Sequence, residues 1–297
     1  MAEEYKISEP DHDHFLAACT KECPHIFPTF QVLGSEIQSK IKNMTGLLHF
    51  GHVHHVEGSP SMLTKLKNSA ILQNDPSAFD FEILTHICDV SAARGHEDNR
   101  GSKVLTENTF RAIESVKNSL HHLAAHSEEE ALKQYLLERA DELGLDSNNQ
   151  SQQFVLARLG VMMRLFSKEK GKALETGYQS LSKDQRAFLN SELNPLIVRN
   201  ERTPTYVPAV LVNLLSTYSK QGLSKDKAIK KCLQDGATCL ANIFHQYRNG
   251  QANQPYTPTL TLNFNKVAGQ LRDQPALLRN ATFSIDKDGH VEIKAKL

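Results

Sequence analysis

The segment Phe154–Phe166 reads Phe-Val-Leu-Ala-Arg-Leu-Gly-Val-Met-Met-Arg-Leu-Phe. It has no acidic residue and is apolar on nearly every side of a helical projection. A helix of that kind is stable only when other parts of the protein surround it. The run is too short to cross a bilayer, which takes about 18 apolar residues or more, and no other run reaches that length. Phe154–Phe166 therefore predicts a central core helix, with Met162 and Met163 as packing residues rather than a cofactor site.

Further helices should surround it. Gln31–Asn43 places Val32, Leu33, Ile37 and Ile41 at near-helical spacing. Ser61–Leu72 reads as helical, and Asn74-Asp75-Pro76-Ser77 is a turn with helix-start character before a helix over Ala78–Ala93. Thr106 starts a long helix with Glu107 in its first turn and a stripe of Phe110, Ile113, Val116, Leu120 and Leu123. Glu128–Leu143 continues helical and stops at Gly144; Asp146–Gln153 is a polar linker. Ser182–Asn194 is stopped by Pro195, and Pro208–Tyr218 is an apolar helix. Ser224 caps a last helix carrying Ile229, Leu233, Gly236, Leu240, Ile243 and Tyr247, with Cys232 and Cys239 as buried thiols. Beyond it the pattern changes. Thr257–Phe264 alternates as a strand does, and Ala281–Ile285 and His290–Lys296 flank a hairpin signal at Asp286–Gly289.

These readings predict a mainly α multi-helix bundle with a small C-terminal antiparallel β-sheet. The units are an N-terminal arm over 1–30, a helical domain over 31–250 and a β-rich extension over 251–297. The arm carries Cys19, Cys23 and His25, which look like part of a zinc site. No second pair follows at finger-like spacing, so a short helix near Phe15–Cys19 and a Pro-bounded turn are the better reading.

The 34 basic and 34 acidic residues cancel. That balance argues against a nucleic-acid binder that works by counterion release over a broad basic face, and the apolar runs give no membrane partner. Met1–Lys6 is charged and is no secretory signal. Five cysteines, an odd number without framework spacing, suit a reducing compartment, so the expected location is cytoplasmic.

The unusual chemistry lies between Leu47 and Ser102, which holds six of the 14 histidines. Imidazoles ligate transition metals and move protons near neutral pH. In Leu47–Gly58, glycines punctuate the run and Leu47, Leu48, Phe50, Val53 and Val56 point in every direction. The segment is thus either buried all round or not a regular helix, and burial would take some of His52, His54 and His55 inside, where each needs a partner. His86 and Asp89, three apart, stand side by side on one helix, as two ligands of one metal or as a carboxylate orienting an imidazole. The loop from Arg94 to Ser102 is dense in donors; Arg94 and Arg100 could hold a phosphate or carboxylate. Of the later histidines, His121 is the better candidate to face the cluster. His122 and His126 have the spacing of a metal pair but project away from the apolar stripe, so exposure is the favoured reading.

The stretch from about His52 to Phe110 resembles the HD-domain superfamily of metal-dependent phosphohydrolases. It has an early histidine at His52, His54 or His55, then Thr85-His86-Ile87-Cys88-Asp89-Val90-Ser91 in place of the family's His-Asp stretch, then Gly95-His96 and Gly101-Ser102. It departs from the family where Cys88 precedes Asp89 and the histidine stands three residues earlier. The resemblance implies a helical bundle and hydrolysis of phosphate esters with one or two metal ions, although some relatives use iron for oxidation. On that reading His52 or His55, with His86 and Asp89, would hold a divalent transition metal (Fe, Mn or Zn), and Asp141 is one possible later ligand. His96 would be the acid/base, and Arg94 and Arg100 would neutralise a small phosphorylated or anionic ligand. The alternative is a non-catalytic helical binding protein on a degenerate version of that scaffold, and a third reading makes the histidines purely structural.

Overall fold

The structure is a computed structural model and describes residues 12–44, 49–93, 102, 104–146, 148–197, 202–249 and 260–295. The apolar run folds as a helix, Gln150–Met162, whose Asn149 side chain caps it by accepting from the Gln152 amide. Every residue from Phe154 to Met163 is buried.

In chain order the principal helices are α1 (His12–Glu22), α2 (Ser35–Met44), α3 (Phe50–His54), α4 (Pro76–Ala92), α5 (Glu107–His122), α6 (Glu128–Leu143) and α7 (Gln150–Met162). They continue as α8 (Lys168–Gln179), α9 (Lys183–Leu193), α10 (Val207–Lys220), α11 (Lys225–Cys232), α12 (Thr238–Arg248) and α13 (Asn265–Asp273). Helix α7 packs against α6, α8, α9 and α10, which accounts for its all-round burial. On one side of this centre α5 packs against α3, α4 and α6; on the other, α8 packs on α11, α9 on α12 and α10 on α13. No helix among the described residues is long and apolar enough to cross a membrane.

Local chemistry sets the helix ends. Asp75 accepts from the Ala78 amide ahead of α4, and Thr106 accepts from Thr109 ahead of α5. Ser127 with Glu130, and Ser182 with Gln185, form reciprocal caps that satisfy two orphan amides each. Gly144 ends α6 in the left-handed conformation at φ 65°, where glycine has no Cβ to clash.

The chain closes with β1 (Ala281–Ile285) and β2 (Val291–Ala295), paired antiparallel with Ala281 opposite Ala295 and Ile285 opposite Val291. Asp286 Oδ1 accepts from the amides of Asp288 and His290 and so shapes the turn. The sheet leans on α13 through β2, and Gln270 bonds both the amide and the carbonyl of Ile293.

Several boundaries differ from the sequence reading. The helix expected over Gln31–Asn43 is broken: a short turn ends at Gln31, and α2 begins only at Ser35, after Gly34. The region 61–72 is a 3₁₀ turn followed by short helical pieces at Thr64–Asn68 and Ile71–Asn74, with Ala70 left-handed between them. The polar linker yields its last four residues to α7, because Asn149 caps it there. Ser224 sits at the N-cap position of α11 but makes no capping bond, and a π-turn at Leu233–Ala237 separates α11 from α12. Of the strand expected at Thr257–Phe264, residues 257–259 lie outside the described residues. At the rest, Asn263 makes only isolated bridges to Thr205 and His290, and Asn265 onward is α13, a helix in a stretch to which the sequence reading assigned no element.

Gly171 shows how closely the helices approach. A Cβ there would overlap the Leu143 carbonyl at the end of α6. Overpacking a close contact typically costs about 1–3 kcal/mol, and here the obstacle is rigid backbone. Gly171→Ala should lower the unfolding free energy by at least that much in urea denaturation, whereas Gly269→Ala, which meets open space, should not.

Candidate functional site

Helix α3 is a little over one turn long, and its apolar side chains do not share a face. Phe50, Val53 and Val56 are all buried, and the histidines between them are carried inward. His54 is only 6% exposed. The Tyr135 hydroxyl, from α6, donates to the His54 carbonyl at 2.8 Å. The chain then turns through Val56 at φ 50°, a conformation that a β-branched residue adopts only under strain.

Arg158 on α7 holds that turn. Its Nε donates to the Val56 carbonyl at 2.9 Å and its Nη2 to the Glu57 carbonyl at 2.7 Å, while Nη1 donates to the Leu193 carbonyl at 2.9 Å. Glu57 is thereby fixed beside His52: the Glu57 amide donates to the His52 carbonyl at 2.9 Å, and His52 Nδ1 shares a hydrogen bond of 2.5 Å with Glu57 Oε2. Burial pushes the Glu57 carboxyl up, against the opposing pull of His52 and Arg158.

The other imidazoles form a wall behind this pair. The rings of His54 and His55 stack at 4.7 Å, and His86 from α4 stands edge-on to His54 at 6.3 Å while packing on Phe50 at 4.5 Å. The His49 ring lies 3.9 Å from that of His52. Burial is the largest cause that keeps all three inner imidazoles neutral: His54 well below the ordinary range, His55 down to about 3 and His86 down to about 4. The Arg164 guanidinium is the next cause for His55. Asp89 acts on His86 in the opposite direction.

Glu57 also borders a small pocket open to solvent, together with Gly58, Arg158, Glu192, Arg202 and Arg248. Glu192 forms an ion pair with Arg248 and bonds His245 Nδ1 at 3.1 Å.

The structure thus brings His55 and His86 to one wall with His54, and gives His52 the carboxylate of Glu57 as partner. Asp89 is exposed on α4. Arg94, His96 and Arg100 lie outside the described residues. His121, expected to face the cluster, instead bonds Asp80 at 3.0 Å and packs edge-on against Phe79. Its place on α5 points it at the start of α4, whereas His86 lies farther along that helix. Asp141 is exposed on α6. Glu57, Tyr135 and Arg158 were absent from the sequence-based candidates. Arg158 had a readable signal, since an arginine inside an all-apolar helix has to be buried with acceptors.

Among the described residues, no three His, Cys, Asp or Glu side chains are grouped to hold one metal ion. The donors nevertheless suit a borderline divalent ion chemically, because neutral imidazoles are its preferred nitrogen ligands. His86 Nε2 is buried with no hydrogen-bond partner, an orphan that an ion or a water would explain. With His52 Nδ1 engaged by Glu57, Nε2 is its remaining donor atom, the arrangement in which a carboxylate orients a ligating imidazole.

Fold and site together define a helical protein with a cluster of neutral imidazoles on one side of Glu57 and a polar pocket bordered by that same residue. The family model described as "Family of unknown function (DUF6829)" matches residues 1–256, and the chain belongs to that family. Neither a curated protein nor a solved structure matches it.

The low imidazole pKa values give a pH dependence with a definite sign. An unfolded histidine takes up its proton near pH 6.5, whereas His55 and His86 in the folded chain do so near 3 and 4. The unfolded state therefore binds more protons between those limits, and stability falls as pH drops through that window. Each imidazole contributes a slope of at most about 1.4 kcal/mol per pH unit. Chemical denaturation at pH 7 and pH 5 should show the loss, and His86→Phe should make it shallower.

Proposed function

We propose that the protein is a hydrolase acting on a phosphate ester or nucleotide-like small molecule, bound in the pocket beside Glu57. The observation that carries this reading is the buried Glu57 carboxyl, which borders the pocket and shares a short hydrogen bond with His52. Burial raises the pKa of this carboxyl, a shift in the direction that favours proton transfer closer to neutral pH. Glu57 would give or take the proton of the reacting oxygen. His52 would hold Glu57 in place and share the proton along their bond. Arg202, on the pocket wall, would meet the charge of the substrate phosphate, beside an Arg248 whose charge is held by Glu192. The histidines His52, His55 and His86, with Asp89 at the edge, are the proposed seat for a divalent transition metal (Fe, Mn or Zn), which when bound supplies hydroxide near pH 7 by lowering the pKa of water. A cytoplasmic setting is proposed with it: all five cysteines are free thiols, as a reducing compartment keeps them.

A second reading has its own support. Cys88 stands where the resembled family has the histidine of its His-Asp pair, and on such a degenerate scaffold the protein would bind an anion without turning it over.

The test uses tag-free protein, a panel of phosphate monoesters and nucleotides, and added Fe, Mn or Zn. Glu57→Gln should cut kcat by about 10²–10⁴, the usual contribution of a positioned acid or base. Arg202→Ala should mainly raise KM. Saturable binding with no turnover under any metal would favour the binding-protein reading and sink the hydrolase.

A further inference from the structure

The C-terminal end of α5 carries a second histidine arrangement, remote in role from the Glu57 pocket. His122 is the last residue of α5 and His126 lies in the turn that follows it, with the His126 amide donating to the His122 carbonyl at 3.1 Å. Their rings stack with centroids 3.5 Å apart and planes within 12°. His126 Nδ1 is engaged by the His122 carbonyl at 3.0 Å, so Nε2 is its remaining donor atom. His122 Nδ1 is buried and has no hydrogen-bond partner. An orphaned nitrogen of that kind is costly unless an ion or a water completes it.

The turn beneath the two rings is tied down from outside. The Lys67 ammonium donates to the carbonyls of Leu123 and His126, at 2.8 and 2.6 Å. The Gln73 side chain donates to the Ala124 carbonyl at 2.6 Å. Ser127 and Glu130 then close the start of α6 with their reciprocal cap. The backbone on both sides of the imidazoles is thus fixed, and the pair is presented by a rigid turn. The Glu130 carboxylate adds negative charge within electrostatic reach of both rings.

We infer that His122 and His126 form a two-histidine site for a borderline divalent transition ion of the zinc, nickel or copper class. The two rings already lie in contact, and a shared ion would require their side-chain torsions to turn one nitrogen of each toward it. Imidazole donors select these metals over calcium and magnesium, which take oxygen. Two protein ligands leave the other positions to water, so the ion is exchangeable, unlike one in a closed four-ligand structural site. Chelation here pins the turn between α5 and α6, and an ion that binds only the folded chain stabilises it.

The experiment is calorimetric titration of zinc alone into full-length, tag-free protein, with thermal melts run in parallel. Wild type, His126→Ala, His122→Gln and a His52→Ala/His86→Ala double variant are compared. His126 is exposed, so His126→Ala should fold and melt as wild type does without metal. The site predicts that His126→Ala and His122→Gln each lose one zinc equivalent, or weaken it at least tenfold, and lose the matching metal-induced rise in Tm. The double variant should keep both, which separates this site from any metal at the inner wall, and magnesium should give neither. Unchanged zinc stoichiometry and affinity in His126→Ala, or loss of that equivalent in the double variant instead, would overturn the inference.

Discussion

The guanidinium of Arg158 sets the geometry on which the rest of the centre depends. It sits inside the most apolar helix of the chain, where a charge is tolerated only with close polar partners. Three carbonyls meet it, from Val56, Glu57 and Leu193. Leu193 is the last residue of α9, so its carbonyl is one of those a helix end leaves without an internal partner. Val56 and Glu57 lie where the backbone leaves α3 through a left-handed residue and has no helix ladder to use. One side chain thus closes a helix end and pins a strained turn. Hydrogen bonds to a charged group contribute about 1.5–3 kcal/mol each, against a desolvation cost of several kcal/mol for the buried ion. The two nearly offset, so the gain is mainly in position: α7, α9 and the Val56 turn are held in one register.

That register decides the chemistry of the histidines. With Val56 turned left-handed, Glu57 comes back toward His52 while His54 and His55 continue inward toward His86. Burial then acts on both kinds of group in the same sense, favouring the uncharged form. It lowers the imidazoles and raises the carboxyl. A polar centre that would be crowded with titrating charge in water is, in the fold, a wall of neutral rings beside one carboxyl of raised pKa. The strain at Val56 lies at the point where these two halves separate.

Helices whose signals are local were legible in the sequence. The apolar run around Phe154, the Thr106 cap and the Gly144 stop each carry their own evidence within a few residues: the run forms a buried helix, although it starts at Gln150 and ends at Met162 rather than Phe166, and the cap and the stop are found where the pattern put them. The breaks at Gly34 and Ala70 were not, because apolar spacing continues across both while the backbone does not. Helix α13 begins just past the alternating residues, at Asn265, in a stretch to which the sequence reading assigned no element. The imidazole wall was half legible. That glycine-punctuated apolar residues would carry histidines inside follows from their directions on a helix. Which nitrogen meets which partner depends on Arg158 and Tyr135, about 80 to 100 residues later in the chain, and no local pattern encodes that meeting.

The two histidine groups also differ in a way that bears on what each can bind. At the inner wall the rings come from α3 and α4, so bringing three nitrogens to one point requires two elements to agree in position to within a fraction of an ångström. Packing against Phe50, Tyr135 and Arg158 fixes that agreement, and as fixed it gives stacked and edge-on rings rather than a converging set. At the end of α5 both rings belong to one turn, stacked on each other with centroids 3.5 Å apart. A metal at the wall therefore needs movement of α3 relative to α4, which the Val56 turn and its arginine resist. The pair at His122 and His126 involves a single turn of the chain rather than two helices. The physical cost of loading a site thus rises with the number of separate elements that must adjust, and on that measure the peripheral pair is the easier of the two to fill.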